Sequence, residues 1–378
     1  MSLIPTILLA AVLAGSWVFC VLAILAARSY RRQAIPEWQG EPPPVSVLKP
    51  LHGLDDGLEE NLRSFFQQDY PHFEILFAAR TEDDPGLDLA RRVAGEYPGR
   101  PVRFFATGEP PYPNAKVFSL EIMTAAAASD ILVMADSDIL APLDLLSTLA
   151  AEFQDPRLGV ATCPYLAVPG HSFWSRLEAV GMNTEFWGGV FTARLVERGV
   201  HFAVGPTAAA RKQAIEDAGG WKRLSRYLAE DFVLGQLASQ AGWTVILSRA
   251  IVEHRIGSQP MRANFAHRLR WNRSTRRSRP AGYAGQLFTY PLPAALALAA
   301  VAPPFWWLIF PTALLRAWAV SEVSARILAD SLTRRRWWLV PLQDLLSFAF
   351  WLAGFFGHVI EWRGRRYFVD KNGMLAPL

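Results

Sequence analysis

Cysteine is almost missing from this 378-residue chain, which has only Cys20 and Cys163. That excludes a disulfide framework and a cysteine-ligated metal, and leaves both thiols as packing residues. Charge is scarce as well: 19% of residues are charged against 51% hydrophobic, and the net charge of +4 is too small to argue for a nucleic-acid partner. No internal repeat is visible, which weighs against a transporter built from duplicated halves. Nor does a basic stretch precede the first apolar run, as it would in a cleaved signal peptide; Arg28, Arg31 and Arg32 follow that run instead.

What the chain has in abundance is apolar length and tryptophan, with 14 Trp suited to a membrane–water interface. Residues 3 to 27 carry no charge, enough to cross a hydrocarbon core of about 30 Å as a helix. The arginines after it predict an uncleaved anchor, with residue 28 onward facing the cytoplasm. From residue 287 the composition turns apolar again in "LFTYPLPAALALAAVAPPFWWLIF" and "WWLVPLQDLLSFAFWLAGFFGHVI", with the shorter "PTALLRAWAV" between them. Two or three membrane segments fit. A cytoplasmic "RGRR" at 363 to 366 requires an even number, whereas Arg334, Arg335 and Arg336 argue for a different count.

Between the apolar ends, strand and helix patterns alternate. "VSVLKPL", "FEILFAA", "RPVRFFAT" and "DILVMAD" read as strands, and the intervening "DGLEENLRSFFQQDYP" and the stretch from Ala115 to Ala127 as helices. This predicts βαβ units around a parallel sheet, whose ligands sit beyond the carboxyl ends of the strands. Asp136 and Asp138 fall at such an end. Two carboxylates there suit a hard cation, Mg²⁺ or Mn²⁺, which fills its remaining positions with water and substrate phosphate. Alone, the pair favours a helix cap or a loop cluster; its place after a βα series reverses this in favour of the metal. Glu82, Asp83 and Asp84 follow another strand, Glu230 and Asp231 open a predicted helix where a carboxylate caps or acts as a base, and Arg270 and Trp271 lie in the basic "HRLRWNRSTRR". Residues 171 to 200 mix Phe and Trp with few charges, which fits a membrane-surface segment or an amphipathic core helix. His201 and His254 read as structural.

In this order the motifs resemble the nucleotide-sugar glycosyltransferases of GT-A fold, most closely the ceramide glucosyltransferase family with its bacterial hopanoid-biosynthesis-associated relatives. The likeness runs from about 45 to 285 through "VSVLKPLHGLDDGLEENLRSFFQQDYP", "EDDP", "NAK", "ADSDI", "GPTAAARKQAIEDAGGW", "AEDF" and the closing "RW". It implies an α/β, Rossmann-like and mostly parallel catalytic domain over 45–285, an anchor over 1–28, a linker over 29–44 and a membrane region over 286–378. It further implies an integral membrane enzyme, facing the cytoplasm, that moves a sugar from a UDP-sugar to a lipid, with no nucleic-acid or protein partner. Glucose to ceramide leads. N-acetylglucosamine to a hopanoid polyol, a processive polysaccharide synthase and a non-catalytic membrane scaffold are the alternatives. Carried over, Asp84 contacts the uracil–ribose end of the donor, Asp138 binds the metal with Asp136 beside it, Asp231 is the base, and Arg270 and Trp271 close a Q/R-x-x-R-W motif. Lys116 is a charge partner for donor or phosphate. His267 stands where the motif has Gln or Arg, and its role stays open.

Overall fold

The computed structural model describes residues 3–362, 365–370 and 373–377. The chain divides into a helical unit, Met1–Gln33, Pro169–Gly199 and Ser258–Gly364, and a sheet unit, Ala34–Val168, Val200–Gly257 and Arg365–Leu378. Helix α1 (Leu3–Arg31) opens the helical unit. The sheet unit follows with β1 (Val45–Pro50), α2 (Leu58–Phe66), β2 (Phe73–Ala79), α3 (Pro85–Gly95), β3 (Val102–Ala106), α4 (Ala115–Ala126), β4 (Ile131–Ala135), β5 (Ile139–Leu140), α5 (Leu145–Glu152), β6 (Leu158–Thr162) and β7 (Tyr165–Pro169). Helices α6 (Phe173–Gly181) and α7 (Trp187–Val196), joined by a π-helical turn at Met182–Phe186, lead back to β8 (Thr207–Arg211), α8 (Lys212–Asp217), α9 (Gly220–Leu224), α10 (Glu230–Gln240), β9 (Thr244–Leu247) and β10 (Val252–Gly257). The rest is α11 (Met261–Ser278), α12 (Pro280–Gly285), α13 (Pro291–Val301), α14 (Ile309–Val320), α15 (Ser331–Arg335), α16 (Leu339–Gly354), β11 (Val359–Trp362), β12 (Arg365–Val369) and β13 (Leu375–Pro377).

Seven strands form the main sheet in the order β3-β2-β1-β4-β8-β6-β9. β1, β2, β3 and β4 pair in parallel, as does β6 with β9, while β8 runs antiparallel to both its neighbours. The sheet is therefore mostly parallel, as the alternating pattern predicts. Its centre is dry because β4, "ILVMA", is buried at all five positions, the signature of a strand covered on both faces. Beside it, Ala208, Ala209 and Ala210 of β8 keep the layer thin. A second small sheet orders β5, β10 and β7, with His254 in register with Ile139. That pairing carries a histidine to the turn containing Asp138.

In the helical unit, α1 is, among the described residues, the one single helix long and apolar enough to cross a membrane. The expected apolar stretch after residue 287 is not one rod. Pro280–Thr289 and Pro291–Val301 are bent by 63° against each other, and a 3₁₀ turn over Pro303–Leu308 breaks the chain again. Proline removes the backbone donor that an uninterrupted helix needs. Between α14 and α16, Arg316 and Asp344 form a buried two-point ion pair at 2.9 and 2.7 Å. The region 171–200 forms α6, the π turn and α7, with Trp187 fully buried. Arg363 and Gly364 of "RGRR" lie outside the described residues.

Candidate active site

The parallel strands β1, β2 and β4 end on one edge of the sheet, and the chemistry-bearing loops extend from that edge. Strand β4 stops at Ala135, so Asp136 and Asp138 occupy the turn into β5. The Asp136 backbone is fixed from both sides: its N–H donates to Pro206 O at 2.8 Å, and its carbonyl accepts from Lys49 Nζ at 2.7 Å. Its side-chain Oδ1 lies 2.7 Å from Lys116 Nζ, which also lies 3.0 Å from Glu230 Oε1. One ammonium thus bridges the turn after β4 and the start of α10.

Asn114 sets this bridge up. It caps α4, its Oδ1 accepting from the N–H of Lys116 and Val117, and its Nδ2 donates to Tyr227 O at 2.8 Å and Glu230 Oε2 at 3.2 Å. Asn114 is fully buried, which costs little because its amide is so well paired. On the next residue of α10, Asp231 Oδ2 accepts from the Gly205 N–H. The helix can approach that closely because residue 235 is glycine: a Cβ there would lie 2.1 Å from the backbone N of Ala203. Lys116, Glu230, Asp231, Gly205, Met134 and Trp221 line a common recess.

Asp138 is held differently. Its Oδ2 pairs with His254 Nε2 at 3.0 Å and its carbonyl accepts from the Arg255 N–H at 2.8 Å. Its Oδ1 is buried without a hydrogen-bond partner among the described residues. A buried carboxylate oxygen left bare beside a second aspartate, with a histidine orienting the other oxygen, is a donor set that fits a hard divalent cation and its supporting shell. Among the described residues no group of three or more His, Cys, Asp or Glu side chains is placed to hold a metal ion, so water and substrate phosphate would have to complete the shell.

Electrostatics separates the carboxylates. Burial raises the Asp231 carboxyl to about 7; Glu230 adds to the rise, and Lys116 and the N–H groups of Phe232 and Gly205 oppose it. Burial also raises Asp136, against Lys116 and with Asp138. For Asp138 burial pushes upward too, but His254, followed by Lys49 and Lys116, holds it below the ordinary aspartate range. Burial pulls the Lys116 ammonium down, yet Asp136, Glu230 and Asp231 together keep it raised and charged. Lys49, fully buried against the Phe65 ring at 4.0 Å, is lowered by burial to about 7 despite Asp138, Asp136 and Asp55. The arrangement pairs a carboxylate that exchanges its proton near neutrality with one that stays ionised, which suits a base beside a cation ligand.

The other expected residues belong to other elements. Asp84 is the N-cap of α3: it accepts from Gly86 N at 2.8 Å and from Gly53 N through both oxygens at 3.1 and 3.0 Å, tying the loop after β1 to the loop after β2. His267, Arg270 and Trp271 lie on α11 in the helical unit. There, His267 Nδ1 pairs with the buried Glu178 Oε1 at 2.8 Å, and its ring is 5.4 Å from that of Trp271, which in turn lies 6.3 Å from Phe186. His201 pairs with Ser239 Oγ at 2.9 Å. The sequence reading missed Lys49, Gly205 and His254 as parts of the site, and named Asn114 only within "NAK". For His254 a signal existed: in "VEHRIG" it falls on the buried phase of a half-buried strand, where an unpaired imidazole is costly.

The profile of glycosyl transferase family 21 matches residues 7–375. Ceramide glucosyltransferase 1 of Caenorhabditis elegans is 28% identical over 214 residues, 54% of this chain and 44% of that protein. Ceramide glucosyltransferase 3 of the same organism is 25% identical over 245 residues, 64% and 53% respectively. The chain thus spans about half the length of these relatives. Among solved structures, a mannosyltransferase from Pyrobaculum calidifontis in complex with GDP-Man and Mn²⁺ superposes with a TM-score of 0.53 at 19% identity, covering 84% of this chain and 98% of that one, and so shares the fold. With a family match that takes in nearly its whole length, the chain belongs to glycosyl transferase family 21.

Proposed function

We propose that the chain is a membrane-anchored, inverting glycosyltransferase that moves glucose from UDP-glucose to the primary hydroxyl of ceramide, with the sheet unit facing the cytoplasm. The observation that carries the reading is the recess in which Asp231, with a near-neutral carboxyl, shares a wall with Lys116. Family membership, the relatives' names and α1 with its trailing arginines support it.

In an inverting transfer the acceptor oxygen attacks the anomeric carbon on the face opposite the nucleotide. Asp231 accepts the hydroxyl proton as the new C–O bond forms, and the glycosidic bond to the diphosphate breaks with its electron pair going to the leaving oxygen. The Gly205 N–H holds Asp231 in one orientation, and Asn114, through Glu230 and Tyr227, holds the start of α10. Lys116 places a fixed positive charge among the carboxylates, where it favours a phosphorylated donor. By family correspondence, Arg270 steadies the departing diphosphate, Trp271 shapes the pocket and Asp84 borders the uracil–ribose end of the donor. Asp138, with Asp136 beside it, would hold Mg²⁺ or Mn²⁺. Such an ion, when bound, neutralises charge on the diphosphate.

The test is mass-spectrometric detection of product from membrane-reconstituted protein with Mn²⁺, crossing UDP-glucose, UDP-galactose and UDP-N-acetylglucosamine with ceramide and a hopanoid polyol. Hexosylated ceramide supports the proposal. An N-acetylhexosaminyl hopanoid replaces the substrates, and the absence of both product and UDP release removes the reading.

A further inference from the structure

Helices α6 and α11 run side by side and in the same direction through the helical unit. Ser175 Oγ accepts from the Gln259 N–H at 2.9 Å just before α11 begins, the Trp174 and Phe265 rings meet edge to face at 5.1 Å, and Phe186 faces Trp271 at the far end. Apolar packing of this kind is enough to hold two helices together. Three polar side chains nevertheless occupy the middle of the seam. Glu178 is only 4% exposed, and both of its oxygens are taken by α11: Oε2 accepts from Asn264 Nδ2 at 2.5 Å and Oε1 pairs with His267 Nδ1 at 2.8 Å. Asn264 is fully buried, and its Oδ1 has no hydrogen-bond partner among the described residues. Taking a carboxylate and an amide oxygen out of water costs free energy that well-packed apolar residues of similar volume would not. Stability alone does not explain the trio.

What the trio does is aim one imidazole. Asn264 and His267 lie one turn apart on α11, so a single carboxylate engages both. With Nδ1 committed to Glu178, the ring keeps Nε2 for another partner. That atom has no hydrogen-bond partner among the described residues, and the His267 side chain is 22% exposed. A carboxylate behind one ring nitrogen orients a histidine toward whatever meets the other. The ring stands 5.4 Å from that of Trp271, and toward the helix starts the seam is aromatic again, from Phe265 through Trp174 to the exposed Phe173. Charge then decides what fits. In either protonation state of the imidazole, Glu178 beside it leaves the pair with no net positive charge, and the neighbouring Arg268 donates to Ser347 Oγ of α16 at 3.1 Å. A diphosphate calls for net positive charge, which this pair does not supply. A neutral hydroxyl or amide carried on hydrocarbon matches it, with the polar atom at Nε2 and the apolar part against the rings.

We propose that His267 is a specificity-determining residue for the acceptor lipid: its Nε2 hydrogen-bonds a polar group of the lipid head other than the hydroxyl that receives the sugar, and Glu178 and Asn264 are positioning residues that hold the ring for it. In ceramide the groups of that chemistry are the secondary hydroxyl and the amide. The inference rests on the reading of the chain as a transferase acting on ceramide and adds to it the residue that reads the lipid.

Steady-state kinetics on the full, membrane-reconstituted chain tests it, with native protein and His267→Phe each given ceramide, ceramide lacking the secondary hydroxyl, and ceramide methylated at the amide nitrogen, and product read by mass spectrometry. Losing one hydrogen bond costs about 2- to 10-fold. Native protein is expected to use one of the two altered lipids less well by that factor in kcat/KM, and the lipid that suffers names the bonded group. His267→Phe is expected to lose about the same factor on ceramide, to treat that altered lipid and ceramide alike, and to keep the native KM for UDP-glucose. A variant that slows on all three lipids while keeping the native preference among them overturns the proposal, because His267 then only packs, and so does a native protein indifferent to both alterations. His267→Met, an unbranched helix former, repeats the comparison should His267→Phe fail to accumulate. If native protein glycosylates none of the three lipids, the ceramide reading itself falls and this inference with it, a result distinct from a lost preference.

Discussion

Replacing Lys116 with methionine removes the ammonium but keeps most of the side chain's apolar volume. In the native site this group lies 2.7 Å from Asp136 and 3.0 Å from Glu230, and it lowers the Asp231 carboxyl as well. Without it, the buried Glu230 and the half-buried Asp136 and Asp231 face one another with no neighbouring cation from α4. An opposite charge at close range moves a carboxyl by about one to three units, so losing it raises the Asp231 carboxyl from about 7 by about one unit or more. The sign follows from the base role: Asp231 works when ionised, so kcat/KM falls about tenfold per unit as pH drops below its value. In the native protein the acid limb lies near pH 7; in Lys116→Met it moves to about pH 8 or above. At pH 7 that alone costs about tenfold or more, or roughly 1.4 kcal/mol per unit. The assay is release of UDP from UDP-glucose across pH 5 to 9 with saturating acceptor, with Lys116→Arg expected to restore most of the acid limb's position. An acid limb unmoved in Lys116→Met refutes the argument, because the ammonium would then not govern Asp231.

Three further outcomes follow from the same geometry. His254→Phe removes the partner of Asp138 Oδ2 and should weaken Mn²⁺ binding about 10- to 100-fold with the fold intact, as isothermal titration of the metal would measure. Gly235→Ala drives a methyl into the backbone at Ala203 and should lower stability by about 1–3 kcal/mol and transfer activity further, since α10 must back away with Asp231 on it; an unchanged melting temperature would contradict this. Glu152 is buried, its Oε1 accepting from the Arg249 N–H at 2.7 Å while its Oε2 has no hydrogen-bond partner among the described residues, and burial raises it to about 7 from an ordinary 4.5 against the Arg249 N–H and the Ser248 hydroxyl. Because the folded value lies above the unfolded one, its contribution is complete below about pH 4.5 and is lost as pH rises to about 7, by about 3 kcal/mol. Glu152→Gln should flatten that part of the thermal-stability profile.

The sheet was readable because its strands are short, apolar and punctuated by turn residues, and Val45–Pro50, Phe73–Ala79, Val102–Ala106 and Ile131–Ala135 all fall inside the expected runs. The antiparallel β8 was harder: "TAAAR" has neither β-branched richness nor alternation, and it is a strand because small residues fit beside β4. At the site, a carboxylate pair after a strand was visible as chemistry, but the partners that tune it come from remote positions. Lys49 lies 87 residues from Asp136, and His254 lies 116 from Asp138. Local pattern carries no information about such pairings. The same holds for Asp84, whose oxygens are taken up by backbone N–H groups of the loop after β1 and of the first turn of α3. The apolar stretch after residue 287 was hard to read because its prolines break the helix and because the pairing of Glu322 with Arg28 joins positions remote in sequence.

The most direct test of the account compares native protein with Asp231→Asn in one reconstitution, with UDP-glucose, ceramide and Mn²⁺, reading hexosylated ceramide by mass spectrometry and UDP-glucose binding by calorimetry. Removing a general base costs about 10²- to 10⁴-fold in rate. The account predicts that the variant binds UDP-glucose about as tightly as the native protein while its product falls by that factor. A folded Asp231→Asn variant that makes hexosylated ceramide at the native rate would contradict it.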